Sequence, residues 1–161
     1  VWITSDLSRW CGDYHLNYNF QGPFYGSYSS NRMQEFSDPM IDVMLDWIDT
    51  AVASAADPDL LKECTIDWYW NTRKDEPAFQ NGFEDSMILR IGQAPQYGTD
   101  YDTDTFGSFY LNQTGCTLFC AIQMVSYYQY TQDYEWLTTE RQTASGNWYS
   151  PYDFLAKTAN F

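Results

Sequence analysis

Apolar and polar positions alternate with helical periodicity in the second quarter of the chain and in its last third. Long irregular stretches lie between. Met40, Ile41, Met44, Leu45, Ile48 and Val52 recur at the spacing of one helix face. Ser37 is placed to cap that helix, Asp38 suits its positive end and Pro39 its first turn. The pattern predicts a single helix running to about Ala56, ended by Asp57-Pro58. From about Thr114 to Tyr130, Leu118, Phe119, Ile122, Met124, Val125, Tyr127 and Tyr128 make a helix apolar on most faces, which predicts burial all round. Thr131 can cap a following helix through Tyr134, Trp136 and Leu137. Ser150-Pro151-Tyr152-Asp153 combines a hydroxyl cap, a first-turn proline and an acid at the capping-box position, and so opens a last helix.

The middle is less regular. Thr65 to Trp70 and Met87 to Ile91 read as short strands, and the remainder between Lys62 and Leu111 is rich in Gly, Asp, Asn and Pro. So long a stretch without regular structure, inside a compact domain, points to function. Near the N-terminus, Asp13, His15, Asn17 and Asn19 alternate with Tyr14, Leu16, Tyr18 and Phe20. In an extended backbone this puts four polar groups on one side. In a helix Asp13 would share a face with Asn17, and His15 with Asn19. Either way, two amides beside a histidine and an acid can hold a water or a sugar hydroxyl.

Composition narrows the function classes. The 161 residues suit one domain, and 44% hydrophobic against 19% charged residues supports a packed core. Aromatic residues reach 19%, which suits stacking on flat ligand faces. A net charge of −14 argues against nucleic acid and against an anionic membrane surface, and leaves a neutral or cationic partner open, with a neutral sugar as a natural candidate. No apolar run approaches the roughly 18 residues of a spanning helix, so no membrane insertion is expected, and no signal-peptide pattern is visible. Cys11, Cys64, Cys116 and Cys120 allow buried thiols, one disulfide or a metal site. Buried thiols are the expected state, because Cys116 and Cys120 would share a helix face.

Several other patterns fall short of a mechanism. Gly115-Cys116 opens a helix as a papain-type nucleophile does, but no histidine follows it in the chain. Asp100-x-Asp102-x-Asp104 starts like a calcium loop, yet Thr105 and Leu111 stand where an EF-hand needs Gly and Glu. Asn112-Gln113-Thr114 fits a glycosylation sequon. Asp13, Glu35, Asp67, Glu84 and Asp85 are candidates for a carboxylate pair, and spacing selects none of them.

The string Gly12-Asp13-Tyr14-His15-Leu16-Asn17-Tyr18-Asn19-Phe20-Gln21 resembles the signature of the α-L-fucosidase-like glycosidases with an (α/α)6 toroid, glycoside hydrolase family 95 and its relatives. Softer likenesses follow. Asp38-Pro39 opens a helix, Gln123 to Tyr128 with Thr131-x-Asp133 is similar to a later hairpin, and Phe154 to Phe161 is similar to the helix before the acid-bearing loop. The resemblance implies a mainly α fold, part of one toroid with long aromatic-rich loops and one or two short strands. It also implies glycoside hydrolysis with inversion and without cofactor. Asn17 and Asn19 would hold the attacking water together with a carboxylate. His15 and Asp13 would contact the sugar, and Trp68 and Trp70 would stack on a pyranose face. The general acid would come from segments beyond Phe161. A secreted or periplasmic location goes with the family.

Gly22, Pro23, Phe24 and Tyr25 replace the Met, Asn, Tyr and Trp that follow the Gln in the family, so fucose specificity does not carry over. A toroid of twelve helices at about 11–12 residues each exceeds this length, so the chain is expected to be a partial toroid, residues 1–161, continued at both ends. It would bind the remainder of the toroid and, alone, expose apolar edges and associate. The reading from another class is a non-catalytic carbohydrate-binding or structural α-domain.

Overall fold

The computed structural model describes residues 14–16, 18, 20–64, 67–89, 92–93 and 114–161. The fold is mainly α. In chain order come strand β1 (Tyr14–His15), a 3-10 turn (Gly22–Phe24) and helices α1 (Tyr25–Ser29), α2 (Met33–Leu45), α3 (Ile48–Ala56), α4 (Pro58–Cys64), α5 (Asp67–Arg73) and α6 (Pro77–Asn81). Strand β2 (Gly92–Gln93) and helices α7 (Thr114–Thr131) and α8 (Tyr134–Thr138) follow, then strands β3 (Arg141–Gln142) and β4 (Trp148–Tyr149) and helix α9 (Pro151–Asn160). β1 pairs antiparallel with β2, and β3 with β4. Among the described residues no helix is long and apolar enough to cross a membrane.

The second-quarter helix starts earlier than its cap signals say. α2 begins at Met33, and Pro39 lies inside it. Buried positions explain the shift: Met33, Ser37, Met40, Ile41, Met44 and Leu45 form one stripe that begins a full turn before Pro39. Ser37 does not cap. It is fully buried, and its hydroxyl pairs with that of Ser27 at 2.6 Å, tying α2 to α1. Pro39 removes the bond to the Glu35 carbonyl, but both residues lie on the exposed side, where water can take that carbonyl.

The predicted single helix is also broken, at Asp46-Trp47, before α3 starts. The Trp47 amide bonds the Met44 carbonyl, a tighter bond than the α-helical one, and the ring turns fully inward. There it meets Tyr14 at 5.7 Å and Phe20 at 5.5 Å.

α7 packs against α1, α2 and α9. Cys116, Cys120, Met124 and Tyr127 lie on its buried face, with Thr117 and Gln123. The expectation of burial all round fails, because Leu118 is 49%, Ile122 48% and Val125 38% exposed. Asp133, not Thr131, caps α8: its carboxylate accepts the Trp136 amide at 2.9 Å. Thr131 instead donates to the Tyr127 carbonyl at the end of α7. α9 has the predicted capping box, with Ser150 and Asp153 satisfying each other's backbone amides.

Among the described residues, neither predicted strand forms. Asp67 to Arg73 is helix α5. Met87, Ile88 and Leu89 are buried without a strand partner, and their amides bond three separate elements: the Lys157 carbonyl, the Ala51 carbonyl and the Thr117 hydroxyl. Such a run looks like a strand in sequence because it is apolar and extended, but its partners are the ends and sides of helices. The first part of the stretch after Lys62 is also less irregular than its composition suggests, since α5 and α6 lie between Asp67 and Asn81.

The β3–β4 hairpin fastens the last third to α2 and α3. Asp38 accepts Trp136 Nε1 at 2.7 Å and the Tyr127 hydroxyl at 3.2 Å. Arg141 pairs with Asp42 and, at 3.5 Å, with Asp38. Asp46 accepts the Ala144 amide at 2.7 Å. Asp49 accepts Ser145 Oγ at 2.5 Å, Asn147 Nδ2 at 2.9 Å and the Tyr149 hydroxyl.

Candidate functional site: the turn around Tyr18

Among the described residues of the motif-bearing segment, Tyr14 and His15 form a strand, pairing with Gln93 and Gly92. Leu16 and Phe20 are buried, and Tyr14 meets Phe20 edge to face at 5.0 Å. Strict alternation would send Tyr18 inward with them. Instead Tyr18 is 58% exposed, because its backbone adopts a φ of 92°. This left-handed conformation, in a bulky non-glycine residue, costs about 1–3 kcal/mol and needs support from its surroundings.

Gln21 supplies the support. Its side chain is fully buried. Oε1 accepts the Tyr18 amide at 3.2 Å, and Nε2 donates to the Leu16 carbonyl at 2.9 Å and to Cys120 Sγ at 3.4 Å. The Gly22 amide closes the turn on the Tyr18 carbonyl at 2.7 Å. A Cβ at residue 22 would stand 2.9 Å from the Tyr18 ring, so a larger residue there would displace that ring. One amide side chain therefore fixes the turn internally and pins it to α7.

Rings surround the turn. Tyr18 stacks on Phe119 at 6.1 Å, and Tyr25 meets the same ring at 6.2 Å. Phe20, Phe24 and Trp47 pack beneath. Tyr28 donates to the carbonyl and Oε1 of the fully buried Gln123. Two buried donors, Gln123 Nε2 and Trp47 Nε1, have no partner among the described residues. Each such group costs about 1–3 kcal/mol if left unmatched.

The structure places the sequence candidates unevenly. Asp13, Asn17 and Asn19 lie outside the described residues, as do the side chains of His15 and Trp68. By chain position, Asn17 and Asn19 flank Tyr18. Trp70 sits on helix α5 rather than in an irregular loop, and is edge-on to Phe79 at 5.9 Å. Phe79 continues through Phe83 to Phe161. Among the described residues, no ring contact joins Trp70 to the cluster around Tyr14 and Phe20. The acidic run from Asp100, the sequon at Asn112, Cys11 and the side chain of Cys64 also fall outside the described residues.

Burial pushes the Cys116 thiol up to about 11 and the Cys120 thiol still further, against the Gln21 hydrogen bond. Both are thiols buried in the core, protonated at neutral pH, so neither is an activated nucleophile. Burial raises the Asp49 carboxyl, but the hydrogen bonds from Ser145, Tyr149 and Asn147, with Lys157 nearby, outweigh it and hold it below the usual range. That is the wrong direction for a general acid. Glu35 is spent on an exposed ion pair with Arg32, and Glu84 and Asp85 are exposed. No group of three or more metal-ligating side chains occurs among the described residues.

Comparison with known proteins finds no matching family model, no matching curated protein and no matching solved structure. The functional reading therefore rests on the turn itself and on the sequence motif it carries. Gln21 is the residue that motif reading undervalued. In the sequence it is one polar residue at the end of a string, and only the fold shows that it organises the string.

Proposed function

We propose that the chain contributes to glycoside hydrolysis with inversion, supplying the water-positioning side of a sugar site through Asn17 and Asn19. The observation that carries this reading is the strained turn at Tyr18, flanked by both asparagines and held by the buried Gln21. Costly backbone geometry over-determined by its surroundings is a mark of positioned functional groups. The helices would form part of an (α/α)6 toroid, consistent with the mainly α fold, and the general acid would come from the rest of that toroid. His15 and Asp13 would hold the sugar. Trp68 and Trp70 are a weaker part of the proposal, because Trp70 has a packing partner in Phe79.

A second reading, a non-catalytic carbohydrate-binding α-domain, is favoured by the exposed rings of Tyr18 and Tyr25, both of which meet Phe119. Saturation-transfer NMR of the chain with a panel of methyl glycosides tests what the two readings share. At least one glycoside should bind, and Asn17→Ala with Asn19→Ala should weaken it if those amides face the sugar. No saturation transfer with any glycoside would remove the support for both readings.

A further inference from the structure

We propose that residues 139–149 form a strap that acid releases from α2 and α3 while the helices stay packed. The proposal goes beyond the sugar site and stands without it. Asp38, Asp42, Asp46 and Asp49 follow one another at intervals of four, four and three residues, which sets their carboxylates in a line along α2 and into α3. The strap follows that line in the same order. Arg141 pairs with Asp42 at 2.5 Å and with Asp38 at 3.5 Å, the Ala144 amide bonds Asp46, and Ser145, Asn147 and Tyr149 all bond Asp49. Among the described residues, every polar tie from the strap to α2 or α3 ends on a carboxylate.

Little else holds the strap. Thr143 is its one buried residue, and the Thr143 bonds go to Asn147, Ser145 and Gly146 within the hairpin. Few buried apolar contacts and exposed hydrogen bonds mark a unit that opens by itself. Both ends are fixed, since Leu137 before the strap and Phe154 after it sit in the core. Opening therefore moves the strap and leaves α8 and α9 in place. The cations facing the line favour ionised carboxylates: Arg141 at Asp38 and Asp42, and Lys157 of α9 at Asp49. The other titratable neighbours are Tyr127 of α7, which donates to Asp38 and has Asp133 nearby, and Tyr149, which donates to Asp49 and has Asp153 nearby. Both tyrosines are neutral in acid, and Asp153 is engaged in the Ser150 cap. Glu140, within the strap, is exposed. Protonating the line removes both ion pairs of Arg141 and turns the charge-assisted bonds into weaker neutral ones. Release also lifts Arg141 from the Trp136 ring, which it overlies at 5.5 Å, and so bares an indole that is buried in the closed form.

Hydrogen exchange of single amides, read by NMR on the intact chain, tests this. Protection factors remove the intrinsic pH dependence of exchange, so acid and neutral solutions can be compared. From neutral pH to about pH 3, below the ordinary aspartate range, protection at Thr143, Ala144 and Gly146 should fall about tenfold or more. The Cys120 and Met124 amides of α7 should keep theirs. A variant carrying Asp42→Asn, Asp46→Asn and Asp49→Asn should show the same selective loss at neutral pH, because it removes the charges and keeps an acceptor at each position. Asp59→Asn, Asp75→Asn and Glu84→Gln together make the same change in net charge at exposed acids elsewhere, and should leave the strap protected. Unchanged strap protection in the Asp42, Asp46 and Asp49 variant would overturn the proposal. Equal loss in the charge-matched variant would also overturn it, since that is an effect of net charge. So would loss of protection in α7 together with the strap, in acid or in the variant, since that is global unfolding.

Discussion

Removing the Asp49 carboxylate gives the most direct reading of what holds the last third of the chain to α2 and α3. Asp49 collects three donors from the β3–β4 hairpin: the Ser145 hydroxyl, the Asn147 amide and the Tyr149 hydroxyl. A hydrogen bond to a charged group is worth about 1.5–3 kcal/mol when shielded, and exposed ion contacts fall to about 0.2–1 kcal/mol. The Tyr149 bond is partly buried and the other two are exposed. Counting one shielded bond and two weak ones, Asp49→Ala should cost about 2–3 kcal/mol. In a chain of this size that lowers the melting temperature by about 5–10 °C.

The pH dependence follows from the lowered carboxyl. With its folded value below the unfolded one, Asp49 contributes its charge-dependent stability above the unfolded value of about 3.9, and this is lost as pH falls through the folded value. The difference between wild type and Asp49→Ala should therefore be full at neutral pH and shrink in acid. Urea unfolding followed by tryptophan fluorescence measures both. A cycle with Tyr149→Phe should show coupling of about 1 kcal/mol, because the two side chains bond directly. A neutral-pH loss below about 0.5 kcal/mol, or a loss that does not change in acid, would refute the claim that this carboxylate anchors the hairpin.

The other predictions concern the turn, a tight glycine and alkaline pH. Gln21→Ala should destabilise the protein by about 3 kcal/mol or more, since it empties a buried site and strips partners from Tyr18, Leu16 and Cys120; chemical denaturation reads this. Tyr18→Gly should leave stability nearly unchanged or slightly raised, because glycine accepts a φ of 92° freely, while glycoside binding by NMR should weaken. Gly82→Ala should cost about 2–4 kcal/mol by thermal unfolding, since a Cβ there would lie 2.2 Å from the Ala56 carbonyl oxygen at a φ of 82°. Burial pushes Tyr28, Tyr127 and Tyr149 up to about 12. Their contribution is complete below the unfolded value of about 10 and is lost as pH rises from there toward 12, so urea midpoints should fall steeply across that window.

Local signals in the sequence were reliable where local chemistry decides. The capping box at Ser150 and Asp153 fixes the start of α9 with groups three residues apart, and both fold and sequence agree there. The helical stripe from Met40 onward was legible for the same reason. Distant partners decided the rest. Pro39 looks like a helix start, but burial of Met33 and the Ser27–Ser37 pair extend α2 past it. Nothing at Asp46-Trp47 signals a break, because the cause is a pocket made by Tyr14 and Phe20 some thirty residues earlier. Asp67 to Arg73 has the apolar and aromatic content of a strand and the structure of a helix, as composition alone does not separate the two. At the candidate site, alternation groups Tyr18 with Leu16 and Phe20, but only the last two are buried, and the exposure of Tyr18 goes with a turn held by the Gln21 amide and so by contact with α7.

The central proposal is that Asn17 and Asn19, which flank Tyr18 in the chain, hold the water that attacks a glycosidic bond. The measurement that tests it most directly is turnover of aryl α- and β-glycosides, the α-L-fucoside included, by the protein expressed from its complete reading frame. Wild type would be compared with an Asn17→Ala, Asn19→Ala variant, and the first-formed anomer read by NMR. The account predicts hydrolysis with inversion that falls by orders of magnitude in the folded variant. Hydrolysis undiminished in that variant, or no hydrolysis of any glycoside, would contradict it.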